Sequence, residues 1–321
     1  MRSAERIPDR RVARADQLPL HVVLSTGQAH QDVGYPLVVL ERQPSRKPEC
    51  GSSEDRVFAR RLHVSLRGAG EPLLLLHGFT GSGAAWGERT LRGLAATHRV
   101  LAVDLPGHGR SDDCADPRRY AMEEVLADLE RVLDAEGIDR AAWVGYSMGG
   151  RIALAAAVRR PERVGRLVLE SASPGLETEE ERAARRRSDA AVAARIEREG
   201  IEAFVDYWTD RPLFATQRRL PHDVRAAVRR GRLANRPDAL AACLRGLGAG
   251  SQPSFWPALP GVRAPTLLLV GSDDAKFREI GERMRDALPE TRLTLVPRAG
   301  HAIHLEKPTA WLEAVTGFLA R

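Results

Sequence analysis

The chain has 321 residues, 43% of them hydrophobic and 29% charged, with three cysteines and a formal charge of +6. Its length accommodates one large α/β domain or two small ones, and its apolar fraction excludes disorder along the whole chain. Apolar runs such as Leu73–Leu76 and Leu267–Val270 are far too short for a bilayer span, and Cys50, Cys114 and Cys243 are too scattered for a disulfide framework or a zinc site. Reduced cysteines in a cytoplasmic protein are the expected setting. The positive balance rests almost wholly on arginine, with lysine only at 47, 276 and 307, and it is interleaved with acids as in Glu177–Arg187. No nucleic-acid motif accompanies it. Small anionic substrates suit it better, because arginine grips a carboxylate with a two-pronged fork.

Residues 1–56 hold two short apolar pieces, Leu18–Leu24 and Tyr35–Leu40, and a polar stretch, Arg42–Asp55, with Pro44, Pro48, Gly51, Ser52 and Ser53, and no helical periodicity, so a poorly ordered extension is expected. A sharper expectation places the translation start near Val57. From there strands and helices alternate. Phe58–Leu66 alternates like a strand, and Pro72–Leu76 and Val100–Val103 are continuous apolar runs suited to strands buried on both faces. Tyr120–Glu136 carries Met122, Val125, Leu126, Leu129, Val132 and Leu133 at helical spacing. Ala141–Val144 reads as a strand and Met148–Val158 as a helix of small residues. Leu167–Glu170, Pro265–Val270 and Arg292–Val296 are further strands, and Trp311–Leu319 closes as a helix. Strands alternating with helices predict a mostly parallel central sheet covered by helices on both sides. Between about 174 and 260 the strand signal vanishes: Glu179–Arg198, Ile201–Tyr207, Asp223–Arg232 and Asp238–Leu247 read as helices. Inserted between two strands, they predict a helical cap over the carboxyl ends of the sheet, where open α/β sheets bind ligands. Residues 57–321 are thus expected to form one domain.

The sharpest chemical signal is Gly145-Tyr146-Ser147-Met148-Gly149-Gly150, placed between a strand and a helix. A turn that tight exposes the Ser147 hydroxyl and leaves no room for side chains at 145 and 149. A serine hydroxyl is inert without an imidazole, and the imidazole needs an acid to fix its tautomer. His301, in Pro297-Arg298-Ala299-Gly300-His301 after a strand, is the candidate, with His304 as competitor. His77 and His108 read as structural. The acid follows the preceding strand, where Asp273 and Asp274 are both available and only one can face the histidine. An oxyanion hole needs two backbone amides: Met148 supplies one, and Phe79, between Gly78 and Gly81, is the candidate for the other.

These pieces, with Asp104-Leu105-Pro106-Gly107-His108-Gly109-Arg110-Ser111, resemble the α/β-hydrolase superfamily from Val57 to Arg321. A narrower resemblance, to the 2-succinyl-6-hydroxy-2,4-cyclohexadiene-1-carboxylate synthases of menaquinone biosynthesis, is carried by Gly145–Arg151, Glu170–Leu176, Glu181–Arg185, Phe204–Phe214 and the Gly271–Phe277 segment. It extends into the cap, the part that diverges between activities. The resemblance favours Asp274 as the acid. It implies a lyase that eliminates pyruvate from 2-succinyl-5-enolpyruvyl-6-hydroxy-3-cyclohexene-1-carboxylate, with Ser147, His301 and Asp274 acting as a base and the Phe79 and Met148 amides facing the charged oxygen. No metal or organic cofactor is implied. Arg185 and Arg232 match the family's carboxylate-binding positions, although Arg185–Arg187 offers three arginines for one role. Tyr146 and Trp208 match its substrate-contacting aromatics.

Arg151 supports this independently: a charge one helical turn past Ser147 is costly near a neutral ligand and useful near a polycarboxylate. The partner expected is therefore a small polycarboxylate, with no nucleic acid and no membrane span, bound by a monomer or small homo-oligomer. The alternative is a hydrolase of the same fold acting on a carboxylic ester or a carbon–carbon bond. Arginines 151, 185 and 232 facing a common cavity favour the lyase; arginines facing solvent or paired with acids such as Glu179–Glu181 favour the hydrolase.

Overall fold

The computed structural model describes residues 60–321. The expected extension over 1–56, the start near Val57 and Cys50 lie outside the described residues.

Apolar runs in the chain form a seven-stranded sheet: β1 (Val64–Arg67), β2 (Glu71–Leu76), β3 (His98–Val103), β4 (Ala141–Tyr146), β5 (Val164–Glu170), β6 (Thr266–Gly271) and β7 (Thr291–Val296). The spatial order is β1-β3-β2-β4-β5-β6-β7. Among the described residues, only the β1–β3 pair is antiparallel; the other neighbours run parallel, as in Leu73 opposite Val100 on one side and Ala142 on the other. Leu73 to Leu76 are fully buried because helices cover both faces of the sheet. The first strand is shorter than the Phe58–Leu66 alternation predicts. Before it, the Arg61 and His63 backbones bond to Asp112 and to the Ser111 hydroxyl instead of to a strand.

The flanking helices are α1 (Glu88–Ala95), α2 (Met122–Ala135), α3 (Met148–Arg159), α7 (Ala275–Ala287), α8 (Ile303–Glu306) and α9 (Pro308–Leu319). Between β5 and β6 lie the inserted helices α4 (Glu179–Thr209), α5 (His222–Leu233) and α6 (Pro237–Leu247). The sequence predicts two helices over 179–207. The structure bears this out: within α4 the helical geometry breaks at Gly200, whose φ of 77° leaves the helical region and separates two helices. At its start Thr178 and Glu181 cap each other's amides reciprocally. The inserted helices carry an apolar cluster of their own, with Ala193, Ile196, Phe204, Leu240 and Leu244 buried between α4 and α6.

The strand order positions the site. After β2 the chain turns to β3 on one side, and after β4 it turns to β5 on the other. The loops leaving β2 and β4 therefore diverge and open a crevice at the carboxyl ends of two adjacent strands. Among the described residues, no helix is long and apolar enough to cross a membrane.

Candidate active site

Ser147 sits in that crevice, between β4 and α3, at φ 51° and ψ −107°. A non-glycine residue pays for this conformation, and the surroundings enforce it. A Cβ on Gly149 would come within 2.0 Å of the Leu76 carbonyl, and one on Gly145 within 2.3 Å of the Gly149 carbonyl. The glycines thus let the helix start press against the end of β2.

Ser147 Oγ lies 3.0 Å from His301 Nε2, and His301 Nδ1 lies 2.7 Å from Asp274 Oδ2. His301 and Asp274 are both buried, and Phe277 packs its ring 4.6 Å from the imidazole. The two aspartates take different partners: Asp273 pairs with Arg219 at the surface, 2.6 Å away, while Asp274 reaches inward. His304 is engaged elsewhere. Its Nδ1 lies 2.8 Å from the buried Glu170 carboxylate, which also accepts a hydrogen bond from Trp311 Nε1 at 2.8 Å.

The loop after β2 is fixed by buried polar groups. His77 Nδ1 donates to the Gly78 carbonyl at 2.7 Å and its Nε2 accepts from the Leu105 amide at 2.9 Å, which requires a neutral ring. Burial lowers the pKa of His77 and drives that of His108 down to about 3. Burial alone would raise the Asp104 pKa, but His63 and the Arg110 and Gly83 amides together hold it at about 2. Asn235, at the end of α5, donates to the Thr80 carbonyl at 2.9 Å. The Phe79 and Met148 amides donate to none of the turn, loop or cap bonds. Met148 opens α3, where helix amides lack intrahelical acceptors.

Above these groups lies a cavity of about 1070 Å³ lined by Ser147, His301, Tyr146, Trp208, Phe79 and Met148 from the expected set, and by Arg151, Arg185 and Arg232. All the candidate site residues therefore border one space. The floor comes from the strand ends and the roof from α4, α5 and α6.

Arg151 Nη1 donates to Gln252 Oε1 at 2.8 Å and Nη2 to the Leu247 carbonyl at 2.9 Å. Burial, reinforced by the nearby Arg185 charge, lowers its pKa to about 10, so it remains a cation at neutral pH. Arg232 is 7% exposed, donates to Thr209 Oγ1 at 2.7 Å and stacks on Phe214. Burial lowers its pKa, while Tyr146 opposes that shift. Neither arginine forms an ion pair among the described residues, although arginine–carboxylate pairs are common elsewhere on this chain. Arg185 alone of the three is paired, through Nε to Asp189 at 2.8 Å. Of its neighbours, Arg186 turns to Glu179 and the Gly250 carbonyl, and Arg187 is exposed and does not line the cavity.

Three residues escaped the sequence reading. Glu170 ends an apolar strand, and a lone acid there was a detectable signal of a buried partner. Asn235 and Gln252 lie in loops without periodicity and gave none. Among the described residues, no group of three or more His, Cys, Asp or Glu side chains is arranged to hold a metal ion.

The α/β hydrolase fold family model matches residues 71–308. The chain is 41% identical over 251 residues to the Bacillus subtilis protein assigned as 2-succinyl-6-hydroxy-2,4-cyclohexadiene-1-carboxylate synthase, covering 78% of this chain and 91% of that one. It is 34% identical over 249 residues to the Serratia proteamaculans synthase of the same name, covering 77% and 92%. Among solved structures, MenH from S. aureus superposes with a TM-score of 0.76 at 32% identity, covering 82% of this chain and 98% of that chain.

Proposed function

The chain is an enzyme of the α/β-hydrolase fold and belongs to the family of 2-succinyl-6-hydroxy-2,4-cyclohexadiene-1-carboxylate synthases, and we propose on that premise that it eliminates pyruvate from 2-succinyl-5-enolpyruvyl-6-hydroxy-3-cyclohexene-1-carboxylate. The observation that carries the reading is a hydroxyl bonded to an imidazole beneath two buried guanidiniums that have no carboxylate of their own.

The two chemical names define the electron flow. A 3-ene bearing its leaving group on carbon 5 becomes a 2,4-diene, so the hydrogen lost is the one on carbon 2. That hydrogen is acidified by the succinyl carbonyl next to it. Ser147 Oγ takes the proton as its own passes to His301 Nε2, and Asp274 steadies the imidazolium that results. The carbon–hydrogen electron pair moves onto the succinyl oxygen, which the Phe79 and Met148 amides face. Return of that pair forms the 2,3 double bond, shifts the old one to 4,5 and breaks the carbon–oxygen bond. The enolate of pyruvate departs, and the imidazolium proton completes it.

The substrate bears three carboxylates. Arg151, Arg185 and Arg232 bind them, with Tyr146 and Trp208 bordering the ring. Fixed cations in a partly apolar cavity act through charge-assisted hydrogen bonds, and Arg232, 7% exposed, is already largely desolvated in the folded chain. The test is pyruvate release from the enolpyruvyl substrate alongside cleavage of a simple aryl ester. Pyruvate without ester cleavage is expected. Ester cleavage without pyruvate would favour the hydrolase.

A further inference from the structure

Arg151 is held by two neutral acceptors, Gln252 Oε1 at 2.8 Å and the Leu247 carbonyl at 2.9 Å. Arg185, by contrast, is held by the Asp189 carboxylate. Gln252 lies in the loop that follows α6 and is 2% exposed. Its Nε2 is buried and has no hydrogen-bond partner among the described residues. A buried amide with half its hydrogen-bonding capacity unused is costly, and a glutamate in its place would form a stronger, charge-assisted bond to the guanidinium.

We propose that Gln252 is a positioning residue for anion binding: it orients the Arg151 guanidinium toward the cavity without neutralising it, and so sets the affinity of the site for polycarboxylates. This rests on the reading of Arg151 as a carboxylate-binding cation. A neutral acceptor fixes the fork and adds no countercharge to the through-space influence of Asp189, so more of the positive charge is left for the ligand. A carboxylate at the same position fixes the fork equally well but competes with the ligand for it. The Leu247 carbonyl serves in the same way on the other nitrogen, and as backbone it cannot be substituted.

Two substitutions at 252 rank in one order if the side chain keeps Arg151 uncompensated and in the reverse order if its role is purely structural. Gln252→Glu keeps the hydrogen bond and adds a countercharge; Gln252→Met fills similar space and removes the acceptor. If Gln252 merely held the loop in place, Glu would be the milder change. If it keeps Arg151 uncompensated, Glu is the more harmful one for anion binding.

The experiment is calorimetric titration of the full chain with tricarballylate, an unreactive tricarboxylate, for the wild type, Gln252→Glu, Gln252→Met and Arg151→Ala, with KM and kcat for the enolpyruvyl substrate measured in parallel. The expected result is wild type tightest, Met weaker, and Glu weakened by about ten-fold or more, about 1.4 kcal/mol, approaching Arg151→Ala. In Gln252→Glu, KM rises more than kcat falls. Tricarballylate binding as tight in Gln252→Glu as in wild type, or tighter than in Gln252→Met, overturns the role of Gln252 while leaving the clamp intact. Wild type binding no tighter than Arg151→Ala overturns the clamp and this inference with it. Because the titration needs no turnover, a failure of the proposed reaction shows separately in the kinetic arm.

Discussion

Two imidazole–carboxylate pairs lie side by side at the carboxyl edge of the sheet. His301–Asp274 is bonded at 2.7 Å and His304–Glu170 at 2.8 Å, and all four residues are buried. The Tyr146 ring stands between them, 5.4 Å from one imidazole and 4.7 Å from the other. What separates the pairs is the third partner. His301 continues to a strained serine hydroxyl, whereas the Glu170 carboxylate is consumed by Trp311 and by the His304 backbone amide as well as by the ring. A buried imidazole–carboxylate pair is thus not in itself a reactive group. One is coupled to a hydroxyl facing a cavity; the other ties β5 to α8 and α9.

The largest effect that could break this distinction is on turnover. Ser147→Ala should lower kcat about a thousand-fold or more, and His301→Ala about as much, with unchanged far-UV circular dichroism. His304→Ala should act on stability instead. It removes one of the three donors to the buried Glu170 carboxylate and should cost about 1.5–3 kcal/mol in a urea unfolding experiment, while kcat falls far less than in His301→Ala. Equal losses of kcat in the two histidine variants would erase the distinction. Arg151→Ala should raise KM about ten-fold, since a charge-assisted hydrogen bond contributes about 1.5–3 kcal/mol; unchanged kinetics would remove Arg151 from the clamp. The smallest effect concerns pH. His77 and His108 are held neutral in the fold, whereas the unfolded chain takes up protons on them near pH 6.5. The unfolded state therefore binds more protons below that pH. Stability from these groups is fully present above about 6.5 and is lost as pH falls toward about 3, where folded His108 titrates. Calorimetric Tm should decline over that window, and His108→Gln should flatten the decline.

The same comparison explains what the sequence disclosed. The elbow was legible because its constraint is local: Gly145 and Gly149 meet backbone that no side chain tolerates, and the flanking strand and helix are read from periodicity. Ser147 and His301 were singled out by local pattern and the chain order of this fold, whereas the spatial order of the strands was not read from the sequence. The choice between Asp273 and Asp274 could not be made from local pattern, because adjacent residues share one loop and differ only in direction; in the structure Asp273 pairs with Arg219 at 2.6 Å and Asp274 lies 2.7 Å from His301. The role of His304 was hidden for a different reason, since its partner Glu170 is distant in sequence. Helices α1 and α7 went unread, the first being one short stretch and the second mostly polar, with only Phe277, Ile280 and Met284 marking its inner face. Gln252 and Asn235 act through pairings between distant segments, which no single segment records.

The most direct test of the central claim, that the Ser147 hydroxyl coupled to His301 is the base of an elimination, is continuous measurement of pyruvate released from the enolpyruvyl substrate by the wild type and by Ser147→Ala. The account predicts one pyruvate per ring turned over by the wild type and release by the variant slowed about a thousand-fold or more. Release by Ser147→Ala at the wild-type rate would contradict it.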